Sequence, residues 1–151
     1  MKRLLFILTI LLFTANNELV AQEIVWYNWA EGYQKAKDEN KIILLDAYTE
    51  WCGWCKVMDQ KTYSVKEIQG KVYKNFVAVK LNPEVDGTYK FAGETYSGKG
   101  LIQKLSHNKF RGYPTTFFVF PNSSKSYMEI GYIDAKRFLG ILNKYVKMQN
   151  K

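Results

Sequence analysis

One continuous apolar run, residues 41–48, constrains the fold more than any other feature of this chain. Its sequence, Lys-Ile-Ile-Leu-Leu-Asp-Ala-Tyr, is rich in branched residues and predicts a strand buried on both faces, as in a parallel sheet. A second such run, residues 76–81, predicts a parallel partner strand, with a helix between the two. Because crossovers of this kind are right-handed, the C-terminal ends of both strands are expected at one edge of the sheet.

Weaker patterns on either side of this βαβ unit predict the remaining elements. Ahead of it we expect a short strand and an amphipathic helix, over residues 23–29 and 30–40. Within it, Ser64 and Glu67 have the spacing of a capping box, which predicts the start of a second helical segment. After it we expect an irregular segment over residues 82–100 and a short helix over residues 101–108. A β-hairpin should follow, with strands at residues 115–120 and 127–130, and then a last helix capped by Asp134. The pattern as a whole predicts an α/β fold with a central mixed sheet flanked by helices.

The first residues have the layout of a secretory signal peptide. Lys2 and Arg3 form a positive start, residues 4–13 are almost entirely apolar, and the small residue Ala21 ends the segment. The apolar run is about ten residues, well short of the roughly 20 that a membrane-spanning helix needs, so no stable anchor is expected. An uncleaved anchor is the alternative. We predict cleavage after Ala21, which leaves one mature domain, residues 22–151, in the periplasm or secreted from the cell.

The chain is basic, with a formal net charge of +8 at pH 7. Such a balance can indicate binding to nucleic acid or to a membrane surface. Here the lysines are scattered along the chain, and no segment holds a dense cluster of them. We therefore interpret the charge as a solvated basic surface and expect no nucleic-acid partner.

The two cysteines of the chain, Cys52 and Cys55, lie three positions apart, directly after the first buried strand. A disulfide that closes so short a loop constrains the unfolded chain little, so the pair indicates chemistry more than scaffolding. If a helix begins here, both side chains share one face, and the free N–H groups and dipole of its N-terminus favour a thiolate on Cys52. Cys52 is then the predicted nucleophile and Cys55 the resolving thiol. A purely structural local disulfide is the alternative.

Metal and haem binding fit the pattern poorly. A structural zinc site needs about four ligands, and the chain has no second cysteine pair. Covalent haem attachment needs a histidine directly after the second cysteine, where Lys56 stands instead. His107 is the chain's single histidine and is interpreted as a solvated helix residue. We predict neither a metal nor another cofactor.

Residues 44–56, Leu-Leu-Asp-Ala-Tyr-Thr-Glu-Trp-Cys-Gly-Trp-Cys-Lys, resemble the active-site strand and loop of the thioredoxin superfamily. Residues 112–115, Gly-Tyr-Pro-Thr, are similar to the cis-proline loop of that superfamily, and Gly131 precedes the last helix as it does there. The Trp-Cys-Gly-Trp-Cys-Lys motif behind a signal peptide resembles exported thioredoxin-like proteins of bacteria. The resemblance implies a thioredoxin fold over residues 22–151, with an inserted loop at about residues 82–100.

The resemblance also implies roles for single residues. Asp46 matches the buried acid that exchanges a proton with the second thiol, and Lys80 matches the lysine that pairs with this acid. A cis peptide bond is expected before Pro114, so that the backbone of Tyr113 lies beside the sulfurs and binds an extended substrate. The remaining substrate-binding residues are expected next to the cysteines, at Trp51, Gly53 and Trp54.

Two departures from the thioredoxin pattern carry further predictions. Trp54 replaces the usual proline, and its backbone N–H is expected to stabilise the thiolate and make the pair easier to reduce than that of thioredoxin. The segment over residues 82–100 is longer than in thioredoxin. Its aromatic residues Tyr89, Phe91 and Tyr96 are predicted to frame a partner-binding surface, with a passive surface loop as the alternative.

These residues together predict a thiol–disulfide oxidoreductase that reduces or exchanges protein disulfides outside the cytoplasm. Its expected partners are protein disulfide substrates and an upstream thiol electron donor, and a monomer is expected. A disulfide oxidase or isomerase is the first alternative, because sequence does not set the direction of exchange. Relatives of that kind often carry an added domain, for which this chain has no room. A thioredoxin-fold binding module without turnover is the second alternative.

Overall fold

The computed structural model describes residues 23–150, so the predicted signal peptide lies outside the described residues. None of the helices in this range has both the length and the apolar content that crossing a membrane requires. The strands are β1 (Trp26–Tyr27), β2 (Ile42–Ala47), β3 (Phe76–Leu81), β4 (Tyr89–Phe91), β5 (Glu94–Tyr96), β6 (Thr115–Phe120) and β7 (Lys125–Ile130). The helices are α1 (Trp29–Asp38), α2 (Gly53–Met58), α3 (Lys66–Asn75), α4 (Gly98–Leu105) and α5 (Ala135–Gln149), and a π-helical turn, Asp59–Tyr63, continues α2.

Five strands form the central sheet in the order β1-β3-β2-β6-β7. Strands β1, β3 and β2 run parallel, whereas β6 is antiparallel to β2 and β7 is antiparallel to β6. The predicted mixed sheet, with a βαβ unit followed by a hairpin, is confirmed. The apolar run that dominates the sequence lies in the middle of the sheet as β2, and all six of its residues are buried.

Side-chain alternation divides the core into two layers, one on each face of the sheet. Ile43 and Leu45 of β2 face a layer built with α1, α4 and β4. Ile42 and Leu44 face the opposite layer, built with α2, α3 and α5. We call these the hairpin layer and the active-site layer. Each residue of β2 therefore faces one of two helical layers, which is why the strand is apolar throughout apart from Asp46.

The last helix illustrates how closely local pattern and structure agree. The carboxylate of Asp134 accepts a hydrogen bond from the N–H of Arg137 at 3.0 Å, as predicted for its N-cap. Such a cap stabilises a helix by about 1 kcal/mol. The buried side chains of α5 recur with helical periodicity and face the active-site layer; they are Phe138, Ile141, Leu142 and Tyr145.

The capping box predicted at Ser64 is absent, although the helix that it predicted is present. Helix α3 begins at Lys66, and its N-cap residue, Val65, makes no side-chain capping bond. The hydroxyl of Ser64 instead donates to the carbonyl of Gln60, 2.6 Å away. The reason is that the π-helical turn extends to Tyr63, so Ser64 satisfies a carbonyl at the end of one helix rather than an N–H at the start of the next.

The segment over residues 82–100 is also more regular than predicted. Strands β4 and β5 pair as an antiparallel hairpin, and α4 begins within the segment at Gly98. The two residues between the strands, Ala92 and Gly93, have φ angles of 51° and 85°. Positive φ at both central residues is what a tight two-residue hairpin turn requires, and it favours glycine.

Candidate active site

Three polar side chains form a row across the active-site layer of the sheet. Asp46 on β2 is in register with Lys80 on β3 and with Thr116 on β6. Side-chain alternation places all three on the face that carries Leu44. The row lies where the parallel strands end, directly ahead of the segment that contains the cysteines. The structure therefore brings together Asp46 and Lys80, the two charged residues that the sequence singled out.

The two cysteines are joined by a disulfide at the start of α2, with an S–S distance of 2.04 Å. Cys52 is the N-cap residue of this helix, and its Sγ accepts a hydrogen bond from the backbone N–H of Cys55 at 3.1 Å. A donor aimed at this sulfur favours the thiolate of Cys52 over that of Cys55. Burial does not distinguish the two residues in the oxidised protein, because each is 4% exposed. The hydrogen bond is thus the observation that distinguishes the two sulfurs.

The loop before β6 has the geometry that the resemblance implies. The Tyr113–Pro114 peptide bond is cis. The loop is tied to its neighbours because Gly131 N–H donates to the Pro114 carbonyl at 2.8 Å and Thr115 Oγ1 donates to the Gly112 carbonyl at 2.7 Å. The aromatic rings of Tyr113 and Trp51 lie 5.8 Å apart, which places this loop beside the cysteine segment.

Exposed aromatic side chains flank the disulfide. Trp51 is 69% exposed and Trp54 is 61% exposed, although large apolar side chains are normally buried. The Trp54 ring lies 5.5 Å from that of Tyr132. Gly53 between the cysteines is exposed, and a Cβ atom there would meet nothing within 4 Å. The surface next to the sulfurs is therefore open and presents two large aromatic rings to solvent.

Glu84 is a residue of this surface that sequence reasoning missed. The indole Nε1 of Trp51 donates to Glu84 Oε2 at 2.9 Å, and the backbone N–H of Glu84 donates to Asn82 Oδ1 at 3.0 Å. The start of the 82–100 segment thus holds one of the exposed aromatic rings in place. Nothing in the local sequence indicates this contact, because the two residues meet through tertiary packing alone.

Asp46 is 2% exposed, and burial raises the pKa of its carboxyl from 3.8 to about 6, while Lys80 opposes this increase. Its Oδ1 atom has no hydrogen-bond partner within residues 23–150. Tyr63 lies in the same layer, and its hydroxyl is 3.3 Å from Thr116 Oγ1. A buried carboxyl with a pKa near neutrality can both release and accept a proton under physiological conditions.

Lys80 contacts a second carboxylate that the sequence analysis did not identify. Its Nζ donates to both carboxylate oxygens of Asp59 at 2.7 Å, whereas Asp46 Oδ2 lies 3.6 Å away. The predicted pair of Asp46 and Lys80 is present, but Asp59 is the nearer partner. Asp59 stands four residues after Cys55, and this helical spacing could have drawn attention to it.

The prediction that Tyr89, Phe91 and Tyr96 frame a binding surface is wrong for Phe91, whose ring is buried, whereas Tyr89 and Tyr96 keep part of their surface exposed. Phe91 is 2% exposed and packs in the hairpin layer. The centroid of its ring lies 6.1 Å from that of Trp29 and 6.0 Å from that of Tyr33. Tyr89 and Tyr96 are partly buried against the same layer. The Nε1 of Trp29 also donates to the Lys90 carbonyl at 2.9 Å, which ties the hairpin to α1. The Phe91 ring is buried because removing its apolar surface from water is favourable.

Within residues 23–150, no group of three or more His, Cys, Asp or Glu side chains is arranged to hold a metal ion. His107 is exposed, and its Nε2 lies 3.4 Å from the Ser126 carbonyl. The reactive groups that the site brings together are the two sulfurs and the buried carboxyl of Asp46.

The fold and the disulfide at the start of α2 define a protein of the thioredoxin superfamily. Residues 15–148 match the family model Thioredox_DsbH, described as "Protein of unknown function, DUF255", and the chain belongs to that family. A structure named DsbH Oxidoreductase is similar over 89% of this chain and 92% of that chain, with a TM-score of 0.61 and 17% identity. A thioredoxin from Thermus thermophilus matches with a TM-score of 0.65 and 17% identity, over 82% of this chain and 88% of that one. At these identities the structural likeness shows the fold alone.

Curated relatives extend the comparison to sequence. The thiol:disulfide interchange protein DsbD of Photorhabdus laumondii is 30% identical over 74% of this chain and 18% of its own length. An uncharacterized protein of Caenorhabditis elegans, B0495.5, is 34% identical over 66% of this chain and 13% of its own length. Human spermatogenesis-associated protein 20 is 37% identical over 50% of this chain and 10% of its own length. The chain thus spans less than a fifth of each of these relatives. The family match, the similarity to the DsbD relative and the Cys-x-x-Cys disulfide together indicate thiol–disulfide redox chemistry.

Proposed function

We propose that this protein is a thiol–disulfide oxidoreductase that reduces or exchanges protein disulfides outside the cytoplasm through Cys52 and Cys55. The observation that carries the proposal is the disulfide at the N-terminus of α2, in which Cys52 Sγ accepts the N–H of Cys55 at 3.1 Å. That contact prepares one sulfur to be a stable thiolate after reduction. The name of the DsbD relative, a thiol:disulfide interchange protein, agrees with this chemistry.

In the first step, the Cys52 thiolate attacks one sulfur of a substrate disulfide. A bond forms between Cys52 and that sulfur, the substrate S–S bond breaks, and the second substrate sulfur leaves as a thiolate that takes a proton from water. Trp51, Trp54 and the Tyr113–Pro114 loop are proposed to hold the polypeptide on either side of the reacting sulfurs. Gly53 leaves room for it.

In the second step, the Cys55 thiol passes its proton to the Asp46 carboxylate and attacks Cys52 Sγ. The Cys52–Cys55 bond forms, the bond to the substrate breaks, and the remaining substrate sulfur leaves and is protonated. The substrate gains two electrons, and the two protein thiols become a disulfide. Asp46 suits this role because burial raises its pKa to about 6, close to the pH at which it would work.

An upstream dithiol donor is proposed to return the disulfide to the reduced state by the same two exchanges in reverse. Donor and substrate would meet the protein outside the cytoplasm, in the periplasm or after secretion, as the signal-peptide pattern of residues 1–21 predicts. The proposed working form is a monomer. The direction of exchange depends on the redox potential of the cysteine pair relative to its partners.

Insulin reduction in the presence of dithiothreitol tests the proposal. The wild-type protein is expected to accelerate precipitation of the insulin chains, and Cys52→Ser is expected to abolish the effect. Cys55→Ser should instead accumulate a mixed disulfide with the substrate, because the first step still occurs and the second cannot. Absence of any acceleration by wild-type protein would favour a binding module without turnover.

The redox potential of the Cys52–Cys55 pair, measured against glutathione or dithiothreitol, tests the direction. A value close to that of thioredoxin, about −270 mV, or slightly less negative, is expected for a reductase. A value near that of a strong oxidase, about −120 mV, would instead favour the oxidase or isomerase. Trp54→Pro is the matched variant. It removes one backbone N–H near the sulfurs and is expected to make the potential more negative.

A further inference from the structure

The ammonium group of Lys80 is shared unequally between two carboxylates of the active-site layer. Both oxygens of Asp59 lie 2.7 Å from Lys80 Nζ, whereas the nearest oxygen of Asp46 lies 3.6 Å away. Asp46 is buried, but the side chain of Asp59 is 42% exposed. The lysine thus makes its two short hydrogen bonds on the solvent side of the site and leaves the buried carboxyl less closely paired.

The local fold explains why Asp59 is the stronger partner. Asp59 is the first residue of the π-helical turn and lies one helical turn beyond Cys55, at the half-exposed end of α2. A charged carboxylate in contact with water keeps much of its hydration, whereas an ionised Asp46 would lose most of it. The rings of Trp26 and Tyr48, with centroids 5.1 and 5.2 Å from Lys80 Nζ, further hold the ammonium group where it is.

We propose that Asp59 is a positioning residue that holds Lys80 away from Asp46 and so preserves the buried carboxyl as a proton acceptor for Cys55. The inference rests on the proposed function, because it assigns Asp59 a part in the second step of disulfide exchange. Asp59 does not itself transfer the proton. It acts through the charge of Lys80 and through its own negative charge.

The groups that act on Asp46 come from the elements packed around it. Lys80 on β3 favours its ionised form, Asp59 in the π-helical turn opposes it, and Tyr63 in the same turn favours it weakly. Thr116 on β6 is uncharged. Removing Asp59 therefore has two effects of the same sign, because it deletes a like charge and frees Lys80 to pair with Asp46. Both effects make Asp46 easier to ionise, whereas removing Lys80 does the opposite.

Carbon-13 NMR of aspartate carboxyl groups in the oxidised protein measures the Asp46 midpoint directly, with the resonance assigned by its loss in Asp46→Asn. In Asp59→Asn the midpoint is expected to move down by about one pH unit, within the range that a newly formed ion pair produces. In Lys80→Met it is expected to move up. Asp38→Asn is the matched control, because it removes the same charge from the exposed end of α1 and should leave the midpoint unchanged.

Two further variants separate positioning from a general loss of structure. Asp59→Glu keeps the charge and the reach to Lys80, so it should restore a midpoint close to that of the wild type. In a Lys80→Met background, Asp59→Asn should cause a smaller shift than it does alone, because only the direct repulsion between the two carboxyls is left to remove. A damaged fold would not produce shifts of opposite sign in the two single variants.

An Asp46 midpoint in Asp59→Asn that equals that of the Asp38→Asn control would overturn the inference, as would a shift in the same direction as that of Lys80→Met. The pH profile of insulin reduction, measured with the same variants, tests the link to function. If the NMR midpoints shift as expected while the rate profile does not follow, the positioning of Lys80 stands. The proton-acceptor role of Asp46 in the proposed function would then fail.

Discussion

The two faces of the central sheet are built from the same strands but are filled differently where the parallel strands end. In the hairpin layer, Leu45 and Ala47 of β2 meet apolar and aromatic side chains, including Phe91. In the active-site layer, Asp46 between them faces Lys80, Asp59, Tyr63 and Thr116. Burying polar groups costs free energy unless every group is paired, and Asp46 Oδ1 has no partner within residues 23–150. The hairpin layer is thus filled for stability, whereas the active-site layer gives up some stability at Asp46, the residue that the proposed function uses for proton transfer.

The largest effect on stability is expected from the hairpin layer. Phe91→Ala should lower the free energy of unfolding by about 3–5 kcal/mol, because it leaves a cavity beside Trp29 and Tyr33. Urea unfolding monitored by tryptophan fluorescence measures this change, and Phe91→Leu, expected to cost less than about 1.5 kcal/mol, is the control. The insulin-reduction rate per folded molecule should stay the same. If Phe91→Ala instead lost little stability and reduced insulin more slowly, Phe91 would have a role in substrate docking.

The next largest effect has the opposite sign and lies in the active-site layer. The folded-state pKa of Asp46 is raised to about 6 from 3.8, so the unfolded chain ionises first as the pH rises. The contribution of Asp46 to the free energy of unfolding therefore falls between about pH 4 and pH 6 and then levels off, a change of about 3 kcal/mol at most. Asp46→Asn removes this loss, so it should stabilise the protein above pH 6 and change little at pH 4.

Urea unfolding of wild type and Asp46→Asn at pH 4 and pH 7 measures this difference. The same variant should slow the second step of disulfide exchange, because Cys55 loses its proton acceptor. If Asp46→Asn is less stable than the wild type at pH 7, the contrast between the two faces is wrong. If its rate of insulin reduction matches that of the wild type from pH 6 to pH 9, the proton-transfer role is wrong.

A smaller effect is expected from the phenol groups on the two faces. Tyr63 OH lies 3.3 Å from Thr116 Oγ1, and this phenol favours the ionised form of Asp46 weakly. Tyr63→Phe should therefore raise the pKa of Asp46 slightly and change stability by about 1 kcal/mol. Tyr33→Phe in the hairpin layer is the matched control and should leave the Asp46 titration unaltered. Equal titration curves in both variants would show that Tyr63 has no part in the polar row.

The smallest effect on stability is expected at the rim of the site. Glu84→Gln weakens the hydrogen bond that holds Trp51, and at an exposed position this should change stability by less than about 0.5 kcal/mol. The KM for a protein disulfide substrate should rise about two- to threefold, which corresponds to a loss of about 0.5 kcal/mol of binding free energy. The rate with a small disulfide should not change. An equal effect on both substrates would mean that Glu84 influences the reactivity of the cysteine pair rather than the binding of the polypeptide.

The sequence, together with its resemblance to thioredoxins, was sufficient for much of the site. The disulfide of Cys52 and Cys55, the buried Asp46 and the cis bond before Pro114 all lie where sequence reasoning placed them. Each of these belongs to a short pattern of neighbouring residues, such as a polar residue inside a buried strand. Lys80 was also found, from the resemblance to thioredoxins, and the parallel register of β2 and β3 brings it next to Asp46.

Contacts between distant segments were not predictable in the same way. Asp59 and Tyr63 lie in a π-helical turn, and their polar partners belong to β3 and β6. Glu84 meets Trp51 across 33 positions of sequence. The same limit explains why Phe91 was predicted to be exposed. The residues next to an aromatic residue in a Gly-containing segment do not indicate whether its ring is buried.

The sequence by itself determined the α/β class, the succession of the main elements along the chain and the cysteine pair, because these depend on periodicity and on residues close together in the chain. The tertiary structure alone decided which carboxylate holds Lys80, which aromatic rings are exposed beside the sulfurs and which are buried under the hairpin. The physical reason is that hydrophobic burial is not directional and fixes only which residues are apolar. Ion pairs and ring contacts depend on distances of a few ångströms, which exist only once the two layers have packed on the sheet.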